Sequence, residues 1–174
     1  MSFEVDPSRA GTIAREIVTE RRPDLQIDTL CILIQAAAAG LLGLKLSKIR
    51  VGALYWPEGV KDDFALAIRG GWGLAGADRD RGLLYVDMNP MEADGGFNGH
   101  TWIEIEEGFA FDAMYGYDGP AIETDHDMQT VRRYVRRTDL ERQVVRYWKD
   151  DMAAVYAAGV RRSHELRQTS LAYG

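Results

Sequence analysis

Residues 30–44 read LCILIQAAAAGLLGL, and no other stretch of the chain limits its fold as tightly. Apolar and small side chains occupy every turn, interrupted by Gln35, so a helix here has no polar face to offer to water. Crossing a membrane takes roughly 20 apolar residues. This run stops at Lys45 and is therefore expected to lie at the centre of a folded domain. Asp28 or Thr29 is placed to cap it, and Cys31 falls in its first turn. Ala36 to Ala39 and Gly40 would let neighbouring elements approach closely.

The 174 residues suffice to enclose such a helix in a single domain spanning 1–174. Ile13, Ile17 and Val18 sit at helical spacing within 11–22, with Thr12 available as an N-cap and Pro23 as a stop. Strands are expected at 49–56, 64–69, 83–87, 101–106 and 109–114. The alternation breaks at Glu107 and Gly108, as in a tight antiparallel hairpin. Glycine-rich 70–82 and 89–99 read as loops, with room for a helical turn at 74–80. Another loop follows Tyr115 as far as Asp127, then mixed segments around 131–135 and 144–148. A closing helix is expected over 150–167, with Gly159 its weak point. The fold class is α+β: a central helix carrying the cysteine, packed on an antiparallel β-sheet.

Charge and composition exclude several functions. Lys plus Arg is 21 against 27 Asp plus Glu, a net charge of −6, which is poorly suited to phosphate backbones, so no nucleic acid partner is expected. Nothing at Met1 to Pro7 resembles a basic, then apolar leader, so a cytoplasmic protein without a membrane partner is expected. One cysteine excludes a disulfide framework and any thiolate-rich metal centre. His100, His126 and His164 lack metalloprotease spacing, and 70–76 lacks the lysine and hydroxyl of a phosphate loop. Neither metal nor cofactor is expected.

Three residues carry the chemistry. Cys31 sits near a helix start, where free amides and the helix dipole favour a thiolate. His100 opens one strand of the hairpin and Asp112 lies on the returning one, so the two can be neighbours across the pair. Were the helix start docked on that hairpin, His100 would deprotonate Cys31 and Asp112 would orient the imidazole. The simpler alternatives are a buried apolar Cys31, a His100 paired with any carboxylate and an Asp112 that caps a turn.

GHTWIEIEEGFAFDAMYG, residues 99–116, resembles the second and third catalytic blocks of the transglutaminase-like superfamily. In those blocks a His opens a strand, an aromatic and an acidic residue follow, and an Asp comes from the next strand. DTLCILIQAAAAGLLGLKLSKIRVGALYW, residues 28–56, resembles the first block, a nucleophilic Cys at the start of a small, apolar helix. Matched by position, Cys31 is the nucleophile, His100 the base and Asp112 the orienting acid, while Trp102 and Glu104 take the aromatic and acidic places. The chain departs from the family at Thr29 and Leu30, where glycine or tryptophan is usual, and at Ala113 and Met114, where proline and threonine are common.

The resemblance implies a papain-like core and chemistry through a thioester: cysteine peptidase, amidase or acyl transferase, acting on a peptide or small amide or acyl substrate. The oxyanion would be held by the Cys31 amide and one more donor, for which Gln26 is a candidate if it is not a solvated turn residue. Trp102 and Trp72 are candidates to wall the substrate cleft, with core packing the alternative for each. Two other readings are a catalytically inactive module of this fold that binds a peptide or protein partner, and a structural protein using the apolar segment 152–160 as a partner surface.

Overall fold

A computed structural model describes residues 5–25, 31–57, 74–78, 83–86, 91–97, 99–106, 109–114, 117–120 and 133–173. Helix α1, Pro7–Arg21, begins at Asp6, whose carboxylate accepts the Ser8 amide at 3.0 Å, with Pro7 fixing the first-turn φ. The cap is therefore Asp6 and not Thr12, which lies inside the helix. Ala10, Ile13, Ala14 and Val18 form its buried stripe.

Helix α2, Cys31–Leu42, has every residue buried, as its unbroken apolar circumference requires. It ends where Gly43 takes φ +70°, a conformation glycine adopts without a Cβ clash. The Gly43 amide then reaches Gly40 O at 3.4 Å and the Leu44 amide Ala39 O at 2.9 Å, satisfying the last carbonyls. Asp28 and Thr29, its expected caps, lie outside the described residues.

The strands are β1 (Ile49–Pro57), β2 (Leu74–Asp78), β3 (Leu83–Val86), β4 (His100–Glu106), β5 (Phe109–Asp112), β6 (Tyr117–Pro120) and β7 (Arg133–Arg136). They form one sheet in the order β2-β3-β1-β4-β5-β6, with β7 also on β1, and every pairing is antiparallel. Gly52 is in register with both His100 and Arg136, and Tyr55 with both Tyr85 and Arg133. One edge of β1 is thus shared end to end by β4 and β3, and the other belongs to β7.

The sheet corrects three expectations. Residues 74–78 form a strand, not part of a loop with a helical turn, because pairing with β3 supplies backbone partners that glycine-rich composition conceals. Residues 117–120 are strand for the same reason, paired with β5, where a loop was expected. β5 stops at Asp112 and not at Met114, since Ala113 and Met114 turn away to bond Gln35 and Asp112. The expected strand 64–69 and the turn at 107–108 lie outside the described residues.

Helix α3, Thr138–Tyr173, starts and ends well beyond the expected 150–167 and absorbs 144–148. Leu140, Val144, Trp148, Met152 and Val155 are buried at spacings of three and four, one continuous inward stripe. Met152 and Val155 therefore pack in the core, and the partner surface expected at 152–160 is largely turned inward. Its first turn is anchored by Glu141, which accepts the Val51 amide at 3.0 Å and Arg136 Nη2 at 2.6 Å.

α1, α3 and the sheet together enclose α2. Where α3 crosses α2 the two backbones touch: a Cβ built on Gly159 would stand 2.3 Å from Ala37 O, and one on Gly40 2.3 Å from Tyr156 O. Gly159, expected as a weak point, is the contact that lets the helices close. No helix among the described residues is long and apolar enough to cross a membrane.

In an open helix, Gly→Ala stabilises by about 1 kcal/mol. Gly159→Ala is expected to do the opposite, costing on the order of 1–3 kcal/mol and lowering Tm by several degrees in a calorimetric scan. A raised Tm would show that the helices have room to spare.

Candidate active site

His100 and Asp112 sit at the same end of the β4–β5 hairpin, both fully buried, and His100 Nε2 is hydrogen-bonded to Asp112 Oδ2. Hairpin register produces this directly. Ile103 faces Phe111, so Asp112 falls beside Trp102 on the sheet face that also carries His100. A carboxylate is acceptor-only, so Nε2 holds a proton, and in the neutral ring Nδ1 is the basic nitrogen.

A buried carboxylate is costly unless its lone pairs are matched. Oδ2 also accepts the Tyr134 hydroxyl at 2.9 Å, and Oδ1 accepts Gln35 Nε2 at 3.1 Å and the Met114 amide at 2.9 Å. Burial is the strongest influence on Asp112 and pushes its pKa up. The His100 charge and hydrogen bond, the Tyr134 hydroxyl and the Met114 amide outweigh it and hold the group below the ordinary 3.8. Asp112 is an anion in the folded protein.

Gln35 ties the cysteine helix to this pair. Its Oε1 accepts the Ala113 amide at 3.1 Å, which leaves Nε2 to face two acceptors, Thr101 O at 2.7 Å and Asp112 Oδ1. Gln35 follows Cys31 by four residues, so both lie on one face of α2 about 6 Å apart along the axis. From the other side Arg15 of α1 holds Met114 O at 2.8 Å, fixing the turn beyond Asp112.

Cys31 is the first residue of α2 and is only 3% exposed. The Ile32 amide favours its thiolate, as expected at a helix start, and the Thr101 hydroxyl of β4 acts in the same direction. Burial and the Asp112 charge act the other way, and burial dominates, pushing the thiol from 9.0 to about 11. The expectation of a resting thiolate is thus corrected: in this conformation Cys31 is a neutral thiol, because removal from water outweighs the helix start.

Trp102 is 2% exposed and packs on Tyr134 with ring centroids 5.1 Å apart; Tyr134 in turn lies 5.8 Å from the His100 ring. Glu104 pairs with Arg50 at 3.3 Å and Lys48 at 3.4 Å on β1 and the turn before it. The two other expected site residues, Gln26 and Trp72, lie outside the described residues. Gln35, Tyr134 and Thr101 were not foreseen as site residues. Gln35 did carry a signal, as a lone amide in an apolar helix one turn from the cysteine. Tyr134 carried none, since its place depends on β7 pairing with β1 from far along the chain. Among the described residues no group of His, Cys, Asp and Glu is arranged to hold a metal ion. Compared with known proteins, the chain matches no family model, no curated protein and no solved structure.

The raised thiol pKa fixes the sign of a stability change. The folded state keeps the Cys31 proton up to about pH 11 while the unfolded chain releases it near 9.0. The contribution is full below the lower value and is lost as pH climbs through the higher one. In urea titrations across this interval, wild type should lose about 2–3 kcal/mol more stability than Cys31→Ala. Parallel declines would mean that the thiol titrates as in water.

Proposed function

We propose that this chain cleaves or transfers acyl groups through a Cys31 thioester, with His100 as base and Asp112 as orienting acid, on a transglutaminase-like, papain-like core. The observation that carries the reading is the fully buried His100–Asp112 pair, joined through Gln35 to the helix that Cys31 begins. The carboxylate that orients His100 is held as an anion by donors from three directions, Gln35, Tyr134 and the Met114 amide. A rigid pair with Nε2 committed to Asp112 and Nδ1 as the basic nitrogen is what proton transfer from a thiol needs.

Because the resting thiol is neutral, deprotonation accompanies attack. As Sγ bonds to the carbonyl carbon of an amide or ester, its proton passes to His100, and Asp112 stabilises the imidazolium. The proton then leaves with the departing amine or alcohol as the carbon–heteroatom bond breaks. Water resolving the thioester gives hydrolysis; an amine gives transfer. The substrate class is a peptide, small amide or acyl ester.

The burial of Cys31 favours one competing reading, an inactive module of the same architecture that binds a peptide or protein partner. A p-nitrophenyl ester separates the two. Acylation should release nitrophenolate and add one acyl group to Cys31 by mass spectrometry, with nothing added to Cys31→Ala and the rate at least about a hundredfold lower in His100→Ala. A folded wild type that is never acylated would favour the binding module.

A further inference from the structure

Pairing between β4 and β5 ends with Ile103 opposite Phe111, and the same register carried two residues further would set Thr101 opposite Ala113. The ladder does not close there. The Ala113 amide donates to Gln35 Oε1 at 3.1 Å and the Thr101 carbonyl accepts from Gln35 Nε2 at 2.7 Å, so a side chain of α2 stands in for the direct link between the strands. Nε2 also reaches Asp112 Oδ1 at 3.1 Å. Gln35 is fully buried, with its carbonyl and both of its N–H bonds engaged. Two strands can join by their own backbones, and an apolar side chain at this position would suit α2 without the cost of burying an amide. What the glutamine adds is that the end of the hairpin where His100 and Asp112 meet is closed by the helix that Cys31 begins.

We infer that Gln35 is a positioning residue for the proposed reaction: wedged into the open end of the β4–β5 ladder, it sets the His100–Asp112 pair at a fixed place relative to the Cys31 end of α2. It moves no proton and acts through Asp112 and His100. Cys31 lies one turn away on the same rigid helix, about 6 Å along the axis, so a shift of the amide is a shift of the nucleophile relative to its base. An offset of about 1 Å between reacting groups costs on the order of a hundredfold in rate. Gln35→Glu isolates the role. One carboxyl oxygen can still accept the Ala113 amide, while the other replaces Nε2 in front of two acceptors, the Thr101 carbonyl and Asp112 Oδ1, and fits only when protonated. The acid form reproduces the native contacts; loss of its proton sets two carboxylates against each other.

The inference rests on Cys31 acylation as the proposed reaction, and its test separates the two. Acylation of Cys31 by a p-nitrophenyl ester is followed from about pH 5 to pH 9 in wild type, Gln35→Met and Gln35→Glu, with circular dichroism reporting the folded state at each pH. Folded Gln35→Met should be acylated about ten- to a hundredfold more slowly at every pH. Gln35→Glu should approach wild type at the acidic end and fall away from it as pH rises, while still folded. A folded Gln35→Met at the wild-type rate, or a Gln35→Glu profile parallel to wild type across the range, would overturn the role. Should Gln35→Met not fold, the Gln35→Glu profile alone decides. A second readout needs no ester: the His100 Nε2 proton signal in nitrogen-resolved spectra should move in Gln35→Met, and in Gln35→Glu at the alkaline end. If wild type is never acylated, a moved signal keeps the positioning and discards the acyl reading, and an unmoved one overturns both.

Discussion

A full negative charge held at zero exposure organises this protein. The Asp112 carboxylate gathers a ring nitrogen from β4, an amide from α2, a hydroxyl from β7 and a backbone amide from the turn after β5. Leaving any one out would expose part of a buried charge to an apolar interior. Three elements separated in sequence, β4, α2 and β7, are thereby fixed to one atom group together with the turn that follows β5, and the orientation of His100 follows from it. The same convergence sets the direction of the imidazole, since the nitrogen facing the carboxylate must be the protonated one.

The second constraint is the total burial of α2. A helix without a polar face has to be covered on every side, and α1, α3 and the sheet do so. Backbone contact at Gly40 and Gly159 leaves little freedom to slide. Cys31 is consequently placed by packing while Gln35 is placed by hydrogen bonds, and both act on the same rigid helix. Burial at this position explains the raised thiol pKa, because the helix start that favours a thiolate has been drawn out of water.

Much of this was legible in the sequence. The apolar run announced a buried helix, alternation gave β1, β3 and the β4–β5 hairpin, and the hairpin placed His100 beside Asp112. Local pattern failed where long-range pairing decides. The glycines of β2 and β6 suggest loops until β3 and β5 supply partners, and nothing around Tyr134 points to a carboxylate across the sheet. Thr12, a hydroxyl beside the apolar stripe, reads as the cap of α1 in the sequence, whereas the Asp-Pro-Ser start supplies it in the fold. The thiol departs from the expected thiolate for a physical reason: a helix-start effect is a fraction of a charge, and full desolvation exceeds it.

The proposed chemistry depends on Asp112 dictating which nitrogen of His100 carries the proton. Nitrogen-resolved imidazole spectra of the labelled protein, with Asp112→Asn alongside, measure this directly. The neutral His100 ring should be protonated at Nε2 alone, with its proton shifted far downfield by the carboxylate, and Asp112→Asn should lose the downfield signal. A neutral ring protonated at Nδ1, or a spectrum indifferent to Asp112→Asn, would contradict it.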